Sequence, residues 1–167
     1  MVNIPYLLKI LGTKKLSELV ANIDLPPLDI NLAIDDAENL DQIQLDRAKG
    51  KVKLIAEPEI SFDSDLANKL LRTMQNYEKR EVNITRGRLN SLIKDPVTGL
   101  GYGYHEYLMA LHYLIDSGQI EEEVVKVPKA GKRKAHTFVF LQFPDNPNED
   151  WNRNVINKFI ASWNKTK

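Results

Sequence analysis

The chain contains no cysteine, and its 23 Lys and Arg are balanced by 23 Asp and Glu, so the formal net charge is zero. Without cysteine there is no disulfide framework, no thiol chemistry and no Cys-ligated zinc, and a reducing cytoplasmic setting is the expectation. Long apolar runs are also missing; the longest is a few residues, against the roughly 20 that a membrane-spanning helix needs. Residues 2–11 hold an apolar stretch, but no basic segment precedes it and no small-residue cleavage site follows, so no signal peptide is expected. Zero net charge excludes a generally polycationic nucleic-acid binder and nothing narrower. What is present is ordinary: 167 residues, 43% hydrophobic and 28% charged, enough for one average domain or two small ones.

Apolar spacing of three and four marks helices, and alternation marks strands. Ile4, Leu7, Leu8 and Leu11 give a short first helix ending near Gly12. Leu16, Leu19, Val20 and Ile23 give a second, with Thr13 as a candidate cap, and Pro26-Pro27 ends it. Ile30, Ala33, Ile34 and Ala37 lie on one face of a third. Ile43 and Leu45, then Val52, Leu54 and Ala56, alternate about a turn at residues 46–50, which predicts a β-hairpin.

The same order then recurs. Leu66, Leu70, Met74 and Tyr77 mark a helix of about four turns capped by Asp63 or Ser64. A shorter helix carries Leu89, Leu92 and Ile93, and a glycine-punctuated loop over residues 95–103 leads to a helix with Tyr104, Tyr107, Leu108, Leu111, Leu114 and Ile115. Strands at Val125–Val127 and Phe138–Phe143 flank a basic loop. The repeat is one of element order, not of residue identity. Beyond it, Asn146-Pro147-Asn148-Glu149 reads as a helix start, and Trp151, Val155, Ile156, Phe159, Ile160 and Trp163 form one apolar face. Two readings stand for that face: docking on its own domain, or a dimer or partner surface anchored by Trp151, Val155, Phe159 and Trp163.

Three helices followed by a two-stranded hairpin resemble the winged-helix form of the helix-turn-helix superfamily, over roughly residues 3–57 and again 64–143. The stretches 37–47 and 111–121 carry the likeness best, each a helix end, a polar break and an isoleucine entering a strand. The resemblance implies a mainly α protein with small β-hairpins, an α+β fold of tandem winged helices. Its parts would be an acidic unit at 1–60, a basic unit at 61–145 and a C-terminal amphipathic helix at 146–167. It further implies that the second unit's third helix, residues 102–113, faces bases in the major groove and that its wing, residues 128–136, meets phosphate.

Charge partitions along the chain. Residues 1–60 hold seven basic and ten acidic residues, a balance of −3, and residues 61–167 hold sixteen and thirteen, a balance of +3. From Val124 to Gln142 there are five basic residues and no acidic one, and from Lys79 to Lys94 five basic residues stand against Glu81 alone. Clustered cations of this kind are either a phosphate-contacting footprint or a solvated loop. The expected DNA contacts are Arg86, Arg88 and Asn90, then His105, Met109 and His112 on the reading helix, and Lys129, Lys132, Arg133 and Lys134 on the wing. That helix has no Arg or Lys to pair with guanine, which favours backbone- or shape-led binding. The acidic third helix of the first unit, with Asp29, Asp35, Asp36, Glu38 and Asp41, would be repelled by phosphate and suits a protein partner or a solvated face.

Catalytic patterns are weak. The glycines at 99, 101 and 103 lack the Lys-Ser/Thr of a P-loop and the spacing of a dinucleotide fold. His105 and His112 are two helical turns apart, and only His136 joins them, so no metal is expected. The sequence thus predicts a non-catalytic protein without cofactor, binding double-stranded DNA in a regulatory or accessory role, with a homodimer expected and a nucleoid-associated cytoplasmic location. The alternative is a protein-interaction adaptor using the acidic first unit or the Trp-bearing last helix.

Overall fold

Helix ends follow from local chemistry. In the computed structural model, which describes residues 2–93, 101–129, 131, 134–145 and 149–165 (side chains of 149 and 163–165 excepted), α1 spans Ile4–Leu11. The Asn3 side chain accepts the Tyr6 amide at 3.2 Å, and Gly12 closes the helix in the left-handed region at φ 61°, its N–H returning to Leu8 O. α2 covers Leu16–Ala21; Thr13 does not cap it, because its hydroxyl accepts the Lys15 amide instead. α3, Pro27–Asn39, opens on a proline, which needs no donor there. The strands β1 (Ile43–Asp46) and β2 (Lys51–Leu54) pair antiparallel, Ile43 opposite Leu54 and Asp46 opposite Lys51.

The second series runs α4 (Ser64–Lys79), β3 (Ile84–Thr85), α5 (Arg86–Ile93), α6 (Tyr104–Asp116), β4 (Glu121–Val127) and β5 (His136–Gln142), followed by α7 (Glu149–Lys165). Asp63 is the cap of α4, its carboxylate accepting the Leu66 amide at 3.0 Å. The Asn146-Pro147-Asn148 start expected for α7 lies outside the described residues. Among those residues no helix is long and apolar enough to cross a membrane.

The fold is mixed α and β with two small antiparallel sheets. Their strand orders correspond. In the first series Lys15, between α1 and α2, bridges to Lys51 of β2, and β2 pairs with β1. In the second, β3, between α4 and α5, pairs with β5, and β5 pairs with β4. The segment before the second helix therefore joins the outer edge of the last strand in both series. Two residues are too few to show alternation, so β3 leaves no periodic trace in the sequence.

The chain divides into two compact units that do not follow chain order: residues 1–67 with 94–113, and residues 68–93 with 114–167. The divisions fall inside α4 and α6, whereas the sequence reading placed its boundary at residue 60. In the first unit α1 packs on α2, α3 and β2, with Ile4, Leu7, Leu19 and Ile43 almost wholly buried. In the second, Phe138, Phe140 and Val127 form a sheet-face cluster against which Val155, Ile156 and Phe159 of α7 pack. Phe159 sits edge-on to Phe138 at 5.2 Å and over His136 at 4.6 Å, and Asn152 of α7 donates to Glu123 on β4 at 2.6 Å.

Of the two readings of this face, docking on its own domain holds for Val155 and Phe159 in place of a partner anchor: both pack, partly buried, on their own sheet, because the apolar face of β4–β5 has the same need for burial as the face of α7. Trp151 is half-buried beside Met74, Ile84 and Leu141, and the Trp163 side chain lies outside the described residues.

Candidate nucleic-acid interface

The cationic residues the sequence points to lie on α5 and the β4–β5 hairpin of the second unit. Pairing of Ile84 with Leu141 and Thr85 with Phe140 anchors the start of α5 to the sheet. The Thr85 hydroxyl then accepts the Arg88 amide at 3.2 Å, capping the helix. Arg86 turns to Glu122 on β4 at 3.3 Å, so its charge is already matched. Arg88 is exposed, its Nε 3.5 Å from the Tyr77 hydroxyl, and Arg80 lies over the Tyr77 ring at 4.1 Å. The hydrogen bond from Arg88, with the charge of both guanidinium groups, holds the Tyr77 hydroxyl below its ordinary pKa. Asn90 is half-buried and its Oδ1 is sealed from solvent, with no hydrogen-bond partner among the described residues.

On the hairpin the strand alternation sorts side chains by face. Val125 and Val127 turn toward α7, while Glu122, Val124 and Lys126 occupy the opposite face. Lys126, Lys129 and Lys134 are all exposed, and none has a carboxylate partner among the described residues. Lys132 and Arg133 lie outside the described residues. The second unit thus exposes Arg88 at the start of α5 and Lys126, Lys129 and Lys134 toward the tip of the β4–β5 hairpin, none in an ion pair among the described residues, while Arg86 is paired.

The reading helix does not conform to expectation. His105 and Met109 are 2% and 5% exposed, so neither reaches a base edge. The cause is that α6 is buried around most of its circumference: Tyr107, Leu108, Ala110, Leu111 and Leu114 are buried as well. His112 is half-buried and already engaged in a contact, and Tyr113 stacks on Phe62 at 3.8 Å. A single apolar stripe was legible from spacing; the second buried side was not, because its residues are polar or ambiguous by type.

His105 shows what fills that second side. Asp24 grips the start of α6 twice within the first unit. Its carboxylate accepts the Tyr104 amide at 2.9 Å, and its own amide donates to His105 Nδ1 at 3.3 Å. Gly103 sits so close that a Cβ there would lie 2.8 Å from His105 Cε1. Burial pushes the imidazole below its ordinary pKa, against the raising pull of Glu106 and Asp24. A depressed folded-state value means the unfolded chain binds the proton more readily. The stabilising contribution is therefore complete above about pH 6.5 and drains away as pH falls through and below that value. Denaturant midpoints at about pH 7.5 and about pH 5.5 should drop for the parent and change less for His105→Gln. Equal drops in both would show that His105 carries none of the acid sensitivity.

The first unit is not uniformly acidic. Asp29, Asp35 and Asp36 are exposed on α3, with Asp35 paired to Arg47 at 2.9 Å. Lys14, Lys15, Lys51 and Lys53 are exposed elsewhere in the same unit, around β2 and the α1–α2 turn. Lys51 and Lys53 flank the buried Val52, an alternation visible in the sequence that signalled two cations on one strand face. No family model, curated protein or solved structure matches the chain.

Proposed function

We propose that the protein is a non-catalytic, tandem winged-helix DNA-binding protein of regulatory or accessory role, gripping the phosphate backbone through the second unit's hairpin and the start of α5. The observation that carries this reading is the set of four exposed cations, Arg88, Lys126, Lys129 and Lys134, none of them neutralised by a carboxylate among the described residues. The repeated strand order supports the winged-helix assignment, since each helical triplet is closed by a hairpin whose last strand is flanked on both sides. With α6 withdrawn from solvent, base reading contributes little, and the binding is backbone-led.

Four phosphate contacts give a log–log salt slope of about −3.6. Fluorescence anisotropy on labelled mixed-sequence duplexes across a salt series should show that slope and nearly equal affinity for unrelated sequences. Absence of binding at low salt would sink the reading. An adaptor role remains the second reading, favoured by one observation: Leu28 and Leu32 stand 68% and 53% exposed on the acidic face of α3. Itself a sequence-independent property, the DNA contact does not use that face.

A further inference from the structure

Two features of the first unit remain unused by the DNA reading, and they complement each other. On α3, Leu28 and Leu32 are one turn apart on the same face, with Leu40 at the end of the helix a further exposed leucine at 69%. Asp29 and Asp36 flank Leu32 at three residues before and four after, and neither is in an ion pair among the described residues. Exposed leucines beside unpaired carboxylates make an apolar knob with a negative border. Soluble chains rarely leave several large aliphatic side chains together on a helix unless something covers them.

Elsewhere in the same unit an open cavity of about 690 Å³ lies between the end of α1 and the β1–β2 hairpin. Its apolar floor includes Leu8, Leu45 and Leu54. Lys14, Lys51 and Lys53 stand at its rim without ion-pair partners among the described residues, while Lys9 is paired with Glu57 and Asp46 faces Lys51 across the hairpin. The volume is that of a ligand-sized cleft, within the roughly 300–1,000 Å³ usual for such sites. The cavity and the α3 face share no residue. One is concave, apolar and positively rimmed; the other is convex, apolar and negatively bordered.

We propose that the acidic leucine face of α3 docks into the lysine-rimmed cavity of the first unit of a second copy of this chain. Leu28 and Leu32 enter the cavity floor, and Asp29 and Asp36 meet Lys14 and Lys53. Opposite potentials steer the encounter and fix its register, and desolvation of the leucines holds it. Because the two patches are unlike, the contact is heterologous, and association continues past two chains unless a ring closes.

Sedimentation velocity of the full chain over a concentration series, at about 20 mM and about 300 mM salt, reads the association without any nucleic acid present, so its failure is separable from failure of the DNA reading. The parent should gain mass with concentration and lose it with salt. Leu32→Lys removes the knob and places a cation between Asp29 and Asp36 at helix-supporting spacing, so the variant stays folded. Lys14→Glu/Lys53→Glu reverses the rim at exposed positions. Each variant alone should remain monomeric. Mixed in equal amounts they should form a two-chain complex that grows no further, since one retains the cavity and the other the knob. A parent that stays monomeric, a variant that associates as the parent does, or a mixture that stays monomeric overturns the proposal. So does a monomeric parent whose cavity takes oleate, or whose α3 takes a synthetic Leu/Lys amphipathic helix.

Discussion

Replacing Lys126, Lys129 and Lys134 together by alanine should lower affinity for duplex DNA by about two to three orders of magnitude at roughly 0.1 M salt. The same change should flatten the salt slope by about 2.7, because on the proposed reading three phosphate contacts and their released counterions are lost. All three lysines are exposed and, among the described residues, without an ion-pair partner, so the variant loses charge without losing a structural contact shown there. Circular dichroism and thermal melting should match the parent. The loss should be similar for every duplex sequence, since the proposed contact is with the phosphate backbone. A loss below about threefold would remove the hairpin from the interface.

Phe140→Ala should cost about 3–5 kcal/mol of stability, the range for a large aromatic removed from a packed core. Phe140 is 0% exposed, lies 5.7 Å from Phe138 in a stacked pair, and pairs in register with Thr85 on one side and Glu123 on the other. Its removal therefore loosens both the support for α7 and the anchor of α5, where Arg88 begins. For a domain whose whole stability is about 5–15 kcal/mol, that loss is a large fraction of the total and lowers the denaturation midpoint accordingly. Chemical denaturation followed by tryptophan fluorescence checks it. A cost under about 1 kcal/mol would mean that the ring is not the keystone of the sheet face.

Most of the fold was readable because its helices and longer strands carry regular apolar spacing. The hairpins at 43–54 and 121–142 and the seven helices among the described residues stand near where periodicity places them. What escaped has physical reasons. A two-residue strand such as Ile84–Thr85 has no period, and the Asp24 clamp on Tyr104 and His105 joins residues 80 positions apart through backbone amides that any sequence possesses. The candidate interface was half legible. Lysines on a loop announce themselves by charge, and Lys129 and Lys134, like Arg88, are exposed as the sequence leads one to expect. His105 and Met109 were misplaced because a polar-looking face is no proof of exposure: a neutral imidazole with an amide donor is content in a core. The zero net charge of the chain conceals separations even within one unit, where the acids of α3 and the lysines around β2 stand apart.

Backbone amide chemical shifts of the labelled full chain, recorded while a mixed-sequence duplex is titrated in at low salt, test the central claim most directly. The account predicts perturbation at Arg88, Lys126, Lys129 and Lys134 and at their strand neighbours, with α3 unmoved. Perturbation confined to α3 or to the first unit's lysines, or none at all, would contradict it.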